Sequence, residues 1–172
     1  MKRRKFITYS VVLFSSTLFA KEISSYALHV TILQEPYQTI SQVIDDLFTP
    51  SAGMPSPHSL NVIGFLKAVM QDKRVTKDRK EFILNGVEWL NQTAQNHYIK
   101  NYIVLSSDQR QELLKKISQK QWGDNWLWYL MNYTFEAMFS DPVYGANSDK
   151  IGWQWLEYKP GFPQPPKVNR YV

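Results

Sequence analysis

The chain predicts an all-α fold, a compact bundle of about five helices followed by a long irregular C-terminal segment rich in aromatic residues and proline. Apolar residues recur at helical spacing in five segments after Pro36, and no segment alternates convincingly enough to build a sheet. Hydrophobic residues make up 44% of the 172 residues, so one domain of about 150 residues can bury a substantial core.

The first predicted helix follows Pro36 and ends before Pro50. Ser56 and Pro57 are typical of an N-cap and a first helical position, and they predict the start of a second helix. A third helix is predicted to begin near Thr76. The apolar stripes of the three are Ile40, Val43, Ile44, Leu47 and Phe48; Val62, Ile63, Leu66, Val69 and Met70; and Phe82, Ile83, Gly86, Val87, Leu90 and Ala94.

A fourth helix is predicted from Ser106, because Gln109 three residues later completes a capping box. Its narrow apolar face consists of Leu113, Leu114 and Ile117. Gly123-Asp124-Asn125 is expected to separate it from a fifth helix that runs from Trp126 to about Phe139. The fifth helix is apolar nearly all round, which requires either a central position in the bundle or cover by another protein chain. Both interpretations stay open from the sequence.

The segment from Ser140 to Trp155 is the most distinctive part of the chain. Gly152 is expected to take a backbone conformation that other residues avoid. Asp141, Asn147 and Asp149 do not have the spacing of a calcium loop, so we interpret such side chains as caps of turns. The predicted turn residues are Asp141, Pro142, Gly145, Asn147 and Gly152.

The sequence predicts no catalytic, cofactor-binding or metal site in this chain. There is no cysteine, which excludes disulfides, thiolate metal sites, iron–sulfur clusters and covalently attached haem c. His29, His58 and His97 lie on different predicted segments and have no metal-ligand spacing. Asp45 and Asp46 fall on the polar flank of the first helix, where solvated carboxylates are expected. Neither a nucleophile elbow nor a dinucleotide-binding glycine motif is present.

Residues 1–20 predict a signal peptide of the twin-arginine type. Arg3 and Arg4 stand one residue ahead of Phe6, and a modestly apolar stretch shorter than a bilayer span runs to Ala20. The alternatives are a plain secretory signal with a chance arginine pair and an uncleaved membrane anchor. We expect export of a folded protein to the periplasm, with residues 21–172 as one helical domain. Residues 21–36 alternate as in a short strand or an extended arm.

The positive charge of the chain lies mostly in this predicted signal. Four of the 20 Lys and Arg residues and none of the 15 acidic residues belong to residues 1–20. The remainder therefore has 16 basic against 15 acidic residues and no basic stripe. Nucleic acid is not an expected partner.

Three segments together resemble the gluconate 2-dehydrogenase subunit 3 family. They are the twin-arginine start, residues 84–94 (LNGVEWLNQTA), and residues 135–147 (FEAMFSDPVYGAN) running into residues 150–155 (KIGWQW). The family usually has a second glycine where Ala146 stands. The region from Ile44 to Leu66 also looks like the first helix pair of the family, around a turn rich in proline and glycine.

The resemblance implies a small, or gamma, subunit that has no redox centre of its own. In such complexes a large subunit of the glucose–methanol–choline oxidoreductase family holds FAD and oxidises a sugar or sugar acid. A multihaem cytochrome c subunit often passes the electrons toward quinone. The small subunit binds the large subunit, assists its maturation and lends its signal for export. Any membrane attachment is then expected through a partner.

Aromatic residues of the fifth helix and of the segment after it are expected to pack the core and to meet the large subunit. They are Trp126, Tyr129, Tyr133, Phe139, Tyr144, Trp153 and Trp155. The sequence does not divide them between these two roles. Two alternatives are a free-standing periplasmic helical binding or scaffold protein, and an independent carbohydrate-active enzyme with two carboxylates roughly 5–10 Å apart.

Overall fold

The computed structural model describes residues 33–48 and 53–161, and the account below concerns the unit Glu35–Val172. The described residues form six α-helices and no strand, which confirms the all-α class. The helices are α1 (Tyr37–Leu47), α2 (Val62–Gln71), α3 (Lys77–Tyr98), α4 (Ser107–Ser118), α5 (Gln121–Phe139) and α6 (Ile151–Trp155). The predicted signal over residues 1–20, and most of the segment 21–36, lie outside the described residues.

Two predicted helix starts are confirmed by their capping hydrogen bonds. Thr76 precedes α3, and its hydroxyl accepts from the backbone N–H of Arg79 at 3.4 Å. Ser106 precedes α4 and forms the complete capping box with Gln109, with bonds of 3.3 and 3.0 Å. Within the described part of the chain, no helix combines the length and apolar character needed to cross a membrane.

The predicted start of the second helix at Ser56-Pro57 is wrong, because α2 begins at Val62. The residue before it, Asn61, has a left-handed backbone with φ of 55°, which interrupts any helix that continues from the preceding turn. The Asn61 side-chain amide donates to the carbonyl of Gly145 at 2.7 Å, a residue 84 positions away. The start of α2 therefore coincides with a contact to a distant residue, and the local capping pattern at Ser56-Pro57 does not predict this contact.

The predicted break at Gly123-Asp124-Asn125 is also wrong, because α5 begins at Gln121 and continues through these residues. Gly123 is buried, and a Cβ atom at this position would lie 2.1 Å from the carbonyl oxygen of Ile117 in α4. The glycine is needed for the close approach of two helices. It does not form a turn.

Helix α5 is the centre of the bundle and packs against α1, α2, α3, α4 and α6. This position explains why it is apolar on more than one face, since several neighbours each need an apolar surface to bury. Its buried residues are Gly123, Trp126, Leu127, Leu130, Tyr133, Thr134, Ala137 and Met138.

The expectation that Asp45 and Asp46 are both solvated is wrong for Asp46. Its side chain is only 7% exposed, and its carboxylate accepts from Arg110 at 2.7 and 3.1 Å and from the Tyr102 hydroxyl at 2.7 Å. Burial of the Tyr102 hydroxyl, together with its hydrogen bond to Asp46, raises the pKa of Tyr102 far above its ordinary value. These bonds join α1 to α4 and to the 3-10 turn Tyr102–Val104. Asp45 remains exposed.

The segment after α5 is more regular than predicted, since it contains 3-10 turns at Pro142–Tyr144 and Ser148–Lys150 and the short helix α6. Gly152 also differs from its prediction, because it lies within α6 and does not have a positive φ. A Cβ atom on Gly152 would lie 2.2 Å from the carbonyl oxygen of Met138. The glycine therefore allows α6 to lie directly against the end of α5.

Helix α3 ends at Ile99, a residue with a strained backbone conformation. Ile99 has a φ of 57° and is 86% exposed, and a β-branched side chain in this conformation costs roughly 1–2 kcal/mol. We expect Ile99→Gly to raise the free energy of unfolding by about 1 kcal/mol, because glycine at a helix C-terminus removes this steric cost. Urea denaturation would measure the change.

The control is Lys100→Gly, which introduces the same flexibility one residue later, where φ is not positive. This variant should be no more stable than the original chain. An Ile99→Gly protein less stable than the original would show that the left-handed conformation of Ile99 carries no strain.

Candidate functional site

Three of the seven aromatic residues predicted for core or interface lie in the interior. Trp126 is fully buried in α5, and its indole N–H donates to the carbonyl of Ile83 in α3 at 2.9 Å. Tyr133 is also buried in α5. Trp153 of α6 is buried, and its indole N–H donates to the carbonyl of Phe139 at 2.8 Å. The indole bonds of Trp126 and Trp153 join α5 to α3 and to α6.

The other four of these aromatic residues reach the surface. Tyr129 is half-buried, while Phe139, Tyr144 and Trp155 are exposed. The seven residues therefore divide into an interior group and a surface group, and they do not form one continuous site.

The main feature of the surface is an aromatic stripe along the outer side of α5, which we define as Trp128, Met131, Phe135 and Phe139. Their exposed fractions are 55%, 37%, 41% and 44%. Their spacing of three, four and four residues puts them in one row on a helix, about 17 Å long at 1.5 Å per residue. Phe135 stacks on Phe139 with ring centroids 5.9 Å apart, so the row is continuous at its C-terminal end.

Only Phe139 of this stripe was among the residues predicted for the site. Trp128, Met131 and Phe135 were missed because the sequence makes every face of α5 apolar, so the spacing of these four residues does not differ from that of the buried rows. Asp124 and Asn132 lie on the same side of α5 as the stripe. Because polar residues are less common in buried rows, these two residues could have indicated that this side is exposed.

A polar furrow, the first of two beside α5, runs between the start of α3 and the start of α5. Its volume is about 710 Å³. Its residues are Thr76, Asp78, Arg79, Phe82, Asp124, Asn125, Trp128 and Tyr129. The Arg79 guanidinium lies 5.3 Å from the ring centroid of Tyr129, and the Trp128 ring meets Tyr129 edge-on at 5.0 Å. Trp128 therefore belongs both to the aromatic stripe and to this furrow.

The second furrow lies near the other end of α5, beside α2, and has a volume of about 780 Å³. Its floor is apolar, formed by Phe65, Ala68 and Val69, and its rim includes Glu136 and Tyr144. Asp72 and Arg74 also line it, and they pair with each other at 2.6 Å. The hydrogen bonds from Arg74 lower the pKa of Asp72 to about 2.

Each of the two furrows is lined by two acidic residues and one arginine. Asp78 and Asp124 line the first furrow with Arg79, and Glu136 lines the second. Burial raises the pKa of Glu136, and the nearby Arg79 opposes this rise. Since Asp72 is neutralised by Arg74, the residues that line the furrows carry a net negative charge at neutral pH.

The predicted turn residues hold α6 against the end of α5. Asp141 accepts a bond from the backbone N–H of Val143 at 3.0 Å beside Pro142, and Gly145 has a φ of 83° that suits glycine. Asn147 is buried; its amide donates to the carbonyl of Ser140 at 3.0 Å.

The oxygen of the same Asn147 amide accepts from the N–H of Gly152 at 2.7 Å. One side chain thus connects the end of α5 to the start of α6. Since Asn147 uses both its amide nitrogen and its oxygen in these bonds, we assign it a structural role in this turn.

The histidines do not assemble into a site in the described part of the chain. His58 and His97 are exposed on separate elements, and His29 lies outside the described residues. Within residues 33–48 and 53–161, no group of three or more His, Asp or Glu side chains could hold a metal ion. The described surface beside α5 presents apolar side chains, exposed aromatic rings and acidic residues.

A family model described as gluconate 2-dehydrogenase subunit 3 matches residues 34–161, which is more than half of the chain. The matched region includes both internal segments that carry the resemblance, residues 84–94 and 135–155, as well as the whole of α1 to α6. No curated protein and no solved structure matches the chain.

Proposed function

The chain belongs to the gluconate 2-dehydrogenase subunit 3 family, and on this premise we propose that it is the non-catalytic small subunit of a flavin-dependent dehydrogenase complex in the periplasm. Its partner is a large subunit of the glucose–methanol–choline oxidoreductase family, which holds FAD and oxidises a sugar or sugar acid. A cytochrome c subunit would complete the path of the electrons in complexes that contain one.

The observation that carries the proposal is the aromatic stripe on α5. Four large apolar side chains, each more than a third exposed, form one contiguous row, and contiguous apolar patches often mark contact surfaces whereas scattered apolar residues do not. Aromatic residues and methionine are also enriched where protein surfaces meet. The stripe therefore supports a role in binding another protein.

The proposal extends to export. FAD is inserted into a flavoprotein in the cytoplasm, so a large subunit without its own signal must cross the membrane folded and attached to a partner that has one. Arg3 and Arg4 offer such a signal on this chain. Binding in the cytoplasm would thus serve both maturation and transport of the large subunit.

We expect that changing both Arg3 and Arg4 to lysine removes dehydrogenase activity from the periplasm, when the chain is co-expressed with its large subunit. Lysine keeps the positive charge but not the arginine pair that the receptor recognises. The measurement is sugar oxidation with an artificial electron acceptor in periplasmic and cytoplasmic fractions. Active flavoprotein should accumulate in the cytoplasm.

The matched control changes Lys2 and Lys5 to arginine, which also preserves charge and leaves Arg3 and Arg4 in place. Its periplasmic activity should equal that of the original chain. Unchanged periplasmic activity in the Arg3, Arg4 variant would contradict the transport part of the proposal. The binding part has its own test: the tagged chain purified from the periplasm should carry flavin absorbance, and a colourless chain with no companion would contradict it.

A further inference from the structure

We propose that the large subunit docks on the outer side of α5 with a positively charged surface, in contact with the aromatic stripe and both furrows. This inference rests on the proposed function and adds to it the docking face and the charge of the partner. The anchor of the contact is Trp128, because it is the most exposed member of the stripe and also a wall of the first furrow.

The area of the stripe supports a protein interface of ordinary size. Large apolar and aromatic side chains bury about 150–250 Å² each, so the exposed fractions above leave roughly 350–400 Å² of the stripe open to water. That is about half of the roughly 800 Å² that each partner loses in a standard interface. The walls of the two furrows, with Tyr144 at the far end, would supply the remainder.

The charge of the furrows selects among partners. Four acidic residues and two arginines line them, and one of the acids is already paired with Arg74. Asp78 and Asp124 take part in none of the ion pairs among the described residues. Apolar surface with acidic margins is complementary to apolar surface with basic margins, and such complementarity directs both encounter and orientation.

The same charges argue against a second copy of this chain as the occupant. A two-fold symmetric contact between the stripes would bring the furrows of one copy against those of the other, and each furrow is lined by one more acidic than basic residue. Like charges brought together at an interface are unfavourable. A basic partner meets no such opposition.

The first furrow is suited to a cationic side chain of the partner. Arg79 already lies over the Tyr129 ring at 5.3 Å, so this aromatic surface accommodates a guanidinium. The neighbouring Trp128 ring is open, and the carboxylates of Asp78 and Asp124 line the same furrow. An arginine or lysine of the large subunit placed there would meet both an aromatic face and negative charge.

The test measures the affinity of the full-length tagged chain for the purified FAD-holding large subunit. Trp128→Ala should weaken binding about 30-fold or more, as expected for an aromatic anchor. The matched control is Val104→Ala, which removes an apolar side chain that is 64% exposed in the 3-10 turn Tyr102–Val104 and lines neither furrow. Its affinity should stay within about threefold of the original.

A second pair of variants tests the charge. Asp78→Lys should weaken binding about tenfold at low salt, and the loss should shrink at high salt because ions screen the attraction. Asp108→Lys is its control, since Asp78 and Asp108 are both exposed and both stand two residues after the N-cap of their helices. The two reversals therefore affect the helix ends equally, and only Asp78 lines a furrow.

Each contrary outcome has a distinct meaning. Full-strength binding by Trp128→Ala, or equal effects of Asp78→Lys and Asp108→Lys, would overturn the docking face while leaving the proposed function intact. Dimerisation of the free chain that Trp128→Ala abolishes would replace the large subunit by a second copy and also overturn the inference. Failure of the original chain to bind the large subunit at all would overturn the proposed function itself.

Discussion

Asp46→Ala is expected to lower the free energy of unfolding by about 3–5 kcal/mol, the usual cost of breaking a buried ion pair from one side. Its carboxylate receives two hydrogen bonds from Arg110 and one from the Tyr102 hydroxyl, and Arg110 is itself largely buried. Without Asp46 the guanidinium would remain in the interior without its counter-charge, and the hydroxyl would lose its acceptor. Urea denaturation of the full chain would measure the loss.

The neighbouring Asp45 offers an unusually close control. It is the same residue type on the same helix, but its side chain is exposed. Partial burial of its carboxyl group and the nearby charge of Asp46 raise the pKa of Asp45. Asp45→Ala should therefore leave stability unchanged or slightly higher. Equal losses for Asp45→Ala and Asp46→Ala would mean that the Asp46–Arg110 pair does not hold α1 to α4.

Gly86→Ala should destabilise the protein by about 3 kcal/mol, at the upper end of the range for overpacked cores. A Cβ atom at Gly86 would lie 2.1 Å from the indole nitrogen of Trp126. The indole is fully buried and donates to the carbonyl of Ile83, so it cannot turn aside without losing this bond and displacing α5. The same substitution on an open helix surface stabilises by roughly 0.5–1 kcal/mol, so the sign of the effect identifies the cause.

Asn85→Ala tests the effect of helix propensity alone, since Asn85 is the exposed neighbour of Gly86 in α3. It should be neutral or slightly stabilising. Gly86→Ala combined with Trp126→Phe should cost less than the sum of the two single losses, because the smaller ring makes room for the added methyl group. A Gly86→Ala protein as stable as the original would show that α3 and α5 separate easily at this point.

Local chemistry explains what could be predicted. The starts of α3 and α4 depend on a hydroxyl at Thr76 or Ser106 and a backbone N–H three residues later, so a short stretch of sequence contains everything required. The buried rows of α3 and α4 follow the helical period for the same reason. The all-α class and the family resemblance rest on these segments and on the motif after α5.

The misplaced helix starts show where local chemistry stops being sufficient. Asn61 stands before α2 with a left-handed backbone and an amide bond to Gly145, and Gly123 lies inside α5 where Ile117 leaves no room for a Cβ atom. In both cases the residue type also suits a turn. Gly145 is 84 residues from Asn61, whereas Ile117 is near Gly123 in sequence but on the preceding helix; both contacts exist only once the helices are packed.

The amino-acid sequence by itself determined the class of fold, most of the helices and the family of this protein, since periodicity and caps act over a few residues. Tertiary structure alone decided which of two adjacent carboxylates is buried and which aromatic row of α5 faces water. The physical reason is that burial of these side chains depends on partners 43 to 64 residues away. Asp46 and Trp126 have such partners in the fold, whereas the aromatic stripe lies on a side of α5 that stays exposed among the described residues.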